Sequence, residues 1–316
     1  MANEDYKVLN PFVDYGFKFL FGREESKELL IGLINIVLEP EAKIVDLTYM
    51  NPEVVPDSEE MKRSVFDVLC KDTAGEEFIV EMQNNPYTNM RDRLVYYAAR
   101  LIDRQGIRGK DWEYKLNKVL AICIMNHPLQ GFDSVRSDIR MVDEASGNVF
   151  SDKVRFIVLQ VPRLKAENFD ECQKFYESLL FLLKEMESGM KTAEQLRGEI
   201  LLAQHEKALE DYYLKLVEMS KTLTPDQQDK YDESLKIYRD SLCSLSYAKN
   251  EGRAEGRAEG RAEGRAEGRA EGRAEGIAEG EAKGKAEVVK AMLAAGIPID
   301  TVLRCSGLTA EEIAKL

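Results

Sequence analysis

Three residues within seventeen positions carry the strongest chemical signal in the chain: Asp67, Glu81 and Gln83. Asp67 lies between Phe66 and Val68, and Glu81 follows Ile79 and Val80. An ionised carboxylate among strand-core residues is costly unless something pairs with it. Two such acids on adjacent strands repel each other, and a divalent cation relieves both costs. Glu81 and Gln83 are two apart, so on a strand both point to one face. Carboxylates with the Met82 carbonyl between them suit Mg²⁺ or Mn²⁺, hard ions that take oxygen ligands. Such a metal lowers the pKa of water and stabilises charge developing on a phosphate. That is the layout of a metal-dependent phosphodiesterase. The Gln83 amide can donate to a water or a phosphate oxygen but brings no positive charge. Lys18 and Lys71 are the nearest candidates in sequence for that. The alternative is a hairpin whose acids alternate onto a solvated face.

These residues must be positioned by strands. Residues 64–70 and 77–83 are apolar, β-forming runs flanking a turn with Gly75, which predicts a hairpin. Upstream, residues 10–22 predict a short helix or turn on which Asp14 and Lys18 share a face. Glu25 to Val37 reads as an amphipathic helix ended by Pro40, and Lys43 to Met50 as a strand. Tyr87 to Arg108 predicts a long helix. On it Arg93, Arg100, Arg104 and Arg108 fall within about 80° of arc at 100° per residue. That stripe is a phosphate-contacting face, an ordinary solvated face, or, for Arg93 with Tyr97, a brace on the hairpin. Val119 to Met125 is a strand buried on both faces, and 137–149 and 153–162 are two more strands. The order predicts a mixed sheet flanked by helices.

From about 168 to 248 the pattern is helical, with helices over Phe175–Met186, Ala193–Met219 and 226–248, and carries no chemical motif. Residues 251–274 are six copies of Glu-Gly-Arg-Ala, and three looser copies end at Ala286. With almost no apolar side chain this stretch builds no core. It reads as a solvated spacer, either a marginal helix or a coil. Residues 287–316 read as a small helical cap, with a capping box at Thr309 to Glu312. Organisation is therefore expected as 1–165, 166–250, 251–286 and 287–316.

Composition narrows the chemistry. A net charge of −13 argues against non-specific coating of nucleic acid or anionic membrane. Two histidines, His127 and His205, stand in no recognisable motif, so a zinc site or a serine triad has no support. Five scattered cysteines read as free thiols in a reducing cytoplasm. No transmembrane run or signal peptide is expected.

Four ordered blocks carry a resemblance: Asp14-x-x-Phe17-Lys18-x-x-Phe21-Gly22, Phe66-Asp67-Val68, Ile79-Val80-Glu81-Met82-Gln83, and Arg93-Leu-Val-Tyr96-Tyr97-Ala98. Together they resemble the recombination-promoting nuclease / putative transposase family of the PD-(D/E)xK nuclease superfamily, over roughly residues 8–165. The resemblance implies an α/β, restriction-endonuclease-like core, here followed by the helical region and the repeat tail. It implies Mg²⁺-dependent DNA cleavage linked to recombination or transposition, with Asp67 and Glu81 as metal ligands and Asp14 as an outer contact. Gln83 stands where the superfamily more often has lysine. DNA is the expected partner, with a homodimer also in view and no small-molecule cofactor. The competing expectation is a nuclease fold without turnover, acting as a DNA-binding or protein-interaction module, as in defence against foreign DNA.

Overall fold

The computed structural model describes residues 7–39, 43–54, 64–86, 89–106, 113–203 and 207–315. They fall into two compact units, one ending at Arg239 and the other spanning Asp240–Leu316.

The first unit is built on a six-stranded mixed sheet. In chain order the strands are β1 (Leu47–Tyr49), β2 (Glu53–Val54), β3 (Ser64–Val65), β4 (Val68–Asp72), β5 (Glu77–Gln83), β6 (Val119–Met125), β7 (Arg136–Val142) and β8 (Val149–Gln160). The sheet order is β1-β4-β5-β6-β8-β7, and β2 pairs with β3 as a separate ribbon. β4 runs antiparallel to β5, whereas β5, β6 and β8 are mutually parallel. A parallel neighbour requires a crossover. Helix α3 (Met90–Asp103) makes the one between β5 and β6.

The all-apolar run of β6 is buried along its whole length, as a strand covered on both faces must be. Alternation along β5 divides the interior in two. Phe78, Val80 and Met82 join the larger core, shared with α1 (Asp14–Phe21), α2 (Lys27–Leu38), α4 (Phe175–Ser188), α5 (Ala193–Leu202) and α6 (Lys207–Ser220). Ile79 joins a smaller core with Leu94, Tyr97, Ala98 and Leu101 of α3. The helical region beyond residue 168 thus shares one core with the sheet.

Several expectations need adjusting. The first hairpin arm is broken at Phe66 and Asp67, so the strands there are β3 and β4 rather than one run. The strand expected over 43–50 is reduced to β1. Residues 143–148, expected in a strand, form the β7–β8 turn, where the Asp143 carboxylate accepts from the backbone and hydroxyl of Ser146 and Gly147 has φ 73°. α3 is shorter than expected, and Tyr87 and Arg108 lie outside the described residues, as do Pro40 and His205.

Helix α7 (Pro225–Ala294) includes the Glu-Gly-Arg-Ala copies, and residues 246–285 are exposed throughout. The repeat is thus a solvated helix, as its charge and missing apolar stripe require. Beyond it, Val289 packs with Val302 of α8 (Ile299–Ser306) and Ile313 of α9 (Ala310–Ala314). The capping box forms as expected, Thr309 Oγ1 accepting from Glu312 N and Glu312 Oε2 from Thr309 N. All five cysteines are free. No helix among the described residues is long and apolar enough to cross a membrane.

Gly32 shows how tightly the large core is closed. A Cβ there would meet the Tyr212 ring at 2.7 Å. That ring is buried, and its hydroxyl is tied to Leu29 O at 3.1 Å, so it has no easy way to swing aside. In an ordinary helix interior alanine is better than glycine by about 1 kcal/mol. Here overpacking outweighs it. Gly32→Ala is expected to lower unfolding stability by up to about 2 kcal/mol net, read from the urea midpoint.

Candidate active site

The site is assembled where β5 ends and β4 begins. Because these strands are antiparallel, with Val68 opposite Val80, Asp67 arrives beside Glu81 and Met82. Asp67 belongs to no ladder; it lies in the bend between β3 and β4. Side chains replace the missing ladder bonds. The Asp67 N–H donates to Glu81 Oε1 at 3.2 Å, and the Met82 N–H donates to Asp67 Oδ2 at 3.0 Å. Each carboxylate thus satisfies a backbone donor on the opposite segment.

Even-numbered residues of β5 direct their backbone groups towards β4, since Glu77 N and Gln83 O both bond towards β6. The Met82 carbonyl therefore points to the same side as its N–H, on the Asp67 edge.

Glu81 is fully buried and Gln83 nearly so. Both face α3. Gln83 Nε2 donates to Glu81 Oε2 at 3.1 Å, and Arg93 Nη2 reaches the same oxygen at 3.2 Å. Arg93 Nε donates to the Tyr97 hydroxyl at 2.9 Å, and Tyr97 packs edge-on against Phe66 with centroids 4.8 Å apart. The Tyr97 hydroxyl also donates to Val65 O at 3.3 Å. Of the three readings of Arg93, the brace is the one that matches these contacts.

From the opposite core, α1 presents Asp14 and Lys18, which pair with each other at 2.7 Å as their spacing predicts. Both charges are felt at Asp67, Lys18 lowering its pKa and Asp14 raising it. The net effect at Asp67 is upward, chiefly because it is buried. Burial and then the neighbouring Asp67 charge push Glu81 up to about 8, against the opposing pull of Arg93. A fully buried acid and a part-buried one share one negative-charge problem.

The other nominated groups are placed elsewhere. Lys71 is at the far end of β4, its Cε near the Gly75 turn, and does not reach the cluster. Arg104 pairs with buried Glu77 at 2.9 Å, and Arg100 lies 3.8 Å from Asp103. Of the stripe, Arg93 and Arg104 therefore meet acids of β5, whereas Arg100 meets an acid of its own helix. Sequence spacing locates the stripe but not its direction, because nothing local in the sequence shows that Glu77 is buried. His127 is nine-tenths buried beyond the end of β6, a position no motif announced.

The donor set fits a hard divalent cation: two carboxylates and a backbone carbonyl, all oxygen donors, on acids that burial holds above their ordinary pKa values. Among the described residues no group of three or more His, Cys, Asp or Glu side chains could hold a metal. Asp67, Glu81 and the Met82 carbonyl would be the protein's contribution, and water or a phosphate oxygen would supply the rest.

A six-stranded mixed sheet flanked by helices is consistent with a PD-(D/E)XK-like core. The chain belongs to the PD-(D/E)XK nuclease family transposase group, whose family model matches residues 11–248. No curated protein and no solved structure matches it.

The raised Glu81 pKa has a definite sign in stability. The folded state holds a proton that the unfolded chain, with its glutamate near 4.5, gives up earlier. This contribution is complete below about 4.5 and is lost as pH rises through about 8. In EDTA the urea midpoint is expected to fall across that window, less steeply in Glu81→Gln, and Mg²⁺ is expected to restore it at the alkaline end. Asp67→Ala and Glu81→Ala each strand a backbone N–H and should cost about 1–3 kcal/mol more than the corresponding amide variants.

Proposed function

We propose that this protein is a divalent-metal-dependent DNA endonuclease acting in recombination or transposition. The observation that carries this reading is the Asp67–Glu81 pair, a part-buried and a fully buried carboxylate held together at a strand end, with nearby cationic charge insufficient to return either to its ordinary pKa. Membership of the nuclease family supports it.

Asp67, Glu81 and the Met82 carbonyl would hold Mg²⁺ or Mn²⁺, which supplies a more acidic water and offsets charge on the scissile phosphate. The protein's own groups do the positioning. Gln83 fixes Glu81 Oε2 by its amide N–H. Arg93 partly neutralises Glu81 and is itself held by Tyr97. Lys18, four-tenths exposed and close enough to act on Asp67, is the cation best placed to meet a phosphate. It takes over the role that a lysine at position 83 would fill.

One observation favours the second reading, a nuclease fold that binds without cleaving. Glu81 Oε2 already accepts from both Gln83 and Arg93, contacts that a metal would have to share or displace.

Supercoiled plasmid separates the two. Wild type with Mg²⁺ or Mn²⁺ is expected to nick it, and Asp67→Asn and Glu81→Gln are expected to fall to background while unfolding cooperatively. Equal nicking by the variants would refute this site. DNA binding without nicking, across both metals and a range of pH, would establish the second reading.

A further inference from the structure

The two edges of the large sheet are finished differently. β1 closes one edge with 3 residues, whereas β7 forms the other with 7. A long edge strand is a template for pairing, and folds commonly shorten it, bend it or interrupt it with proline. β7 contains neither proline nor glycine. Beyond Arg140 the register shifts are taken up by extra residues of β8, so β7 itself runs on unbroken. Among the described residues no strand lies on its outer side.

Backbone direction follows from one bond. Gln160 N donates to Val135 O, so Val135 turns towards β8. That orientation alternates along an antiparallel ladder. Ser137 and Ile139 therefore also turn towards β8, and Arg136, Asp138 and Arg140 direct their backbone groups to the edge.

Side chains alternate between the two faces. On one face the Asp138 carboxylate accepts from Arg155 Nε at 2.9 Å and Arg140 Nε at 3.2 Å, and Arg136 reaches it at 3.4 Å. On the other, Ile139 lies opposite Phe156 at the margin of the smaller core, and Met141 beyond it is 43% exposed. The hairpin runs on past β6, whose pairing with β8 stops at Val154. Val142, Val149 and Phe150 are exposed there as well.

Charges on an edge strand usually guard it. Here their order does the reverse. Ile139 is the midpoint of β7. A second copy laid antiparallel about that residue sets Asp138 opposite the copy's Arg140, and Arg140 opposite the copy's Asp138. Arg140 shares its own carboxylate with Arg136 and Arg155, and gains a second one from the copy. On the opposite face Ile139 meets itself, and Met141 meets Ser137. Arg136 falls against Val142. Centring the pairing on Asp138 or Arg140 would oppose like charges, and centring it on Ser137 would pair only Arg136–Asp138. The full-length register is thus the one with apolar contact on one face and matched charge on the other.

We propose that β7 is a homodimerisation edge, on which a second copy of this chain continues the sheet by antiparallel β7–β7 pairing about Ile139. The inference is independent of cleavage.

Sedimentation of the full chain reads its mass, and cysteine pairing reads the register. Ile139 and its copy would form a non-hydrogen-bonded pair with Cα atoms about 4.5 Å apart, within disulfide reach. Oxidised Ile139→Cys is expected to run as a covalent dimer. Phe150→Cys, 83% exposed but off the axis, is not, and wild type with its exposed Cys243 and Cys305 sets the background. Arg140→Asp opposes acids across the edge and Asp138→Arg opposes arginines, so each is expected to halve the mass. Mixed in equal amounts, the two variants bring opposite charges together at both positions and should form a dimer that neither forms alone. If Asp138→Arg fails to unfold cooperatively, Arg140→Asp and Ile139→Cys decide by themselves. A monomeric wild type overturns the proposal. So does a multimer whose mass Arg140→Asp leaves unchanged, an Ile139→Cys protein no more cross-linked than Phe150→Cys, or a mixture of folded variants that stays monomeric.

Discussion

The structure depends on one awkward charge. Glu81 is on the central part of the sheet with no exposure to water, beside a second acid that is itself mostly enclosed. Burying a lone carboxylate is among the costlier acts a fold performs. Here every neighbouring element contributes to making it tolerable. The bend before β4 supplies an N–H, β5 supplies the Gln83 amide, and α3 supplies Arg93. The antiparallel β4–β5 pairing and the parallel crossover through α3 are the connections that bring these three donors to one point.

The same logic is repeated further along β5. Glu77, four residues earlier and on the same face, is also buried and is met by Arg104. Two glutamates on one strand face and two arginines on one helix face fix how α3 lies over the sheet. Sliding the helix by a turn would separate both pairs and leave buried charge uncompensated. Apolar packing through Leu94, Ala98 and Leu101 fills the interface, whereas the ion pairs select its register.

Much of this was legible in the sequence where side-chain type alone decides. The apolar run 119–125, the Gly75 turn, the i,i+4 pair of Asp14 and Lys18 and the capping box at Thr309 follow from local patterns. Asp67, Glu81 and Gln83 stood out because polar groups interrupt strand-core residues. What escaped is what depends on long-range register. Spacing placed the arginines on one stripe, but only the strand beneath shows that Arg93 and Arg104 face acids. The lysine nearest in sequence, Lys71, is at the wrong end of β4, whereas Lys18, nearly fifty residues upstream, is near Asp67. His127 carried no motif because its surroundings come from Pro86, α3 and a loop held by Gln160.

The reciprocal bonding of Asp67 and Glu81 has a consequence for how relatives of this chain should be read. Each acid completes the backbone of the other's segment, so each is held in place by folding as well as by any chemistry. A descendant that abandoned cleavage would still be penalised for exchanging either one for a small apolar residue. Retention of the pair across a lineage would therefore be a record of architecture before it is a record of activity. Loss of Lys18, which has no such structural duty in the strand-end network, would be the more informative sign that a nuclease had fallen silent.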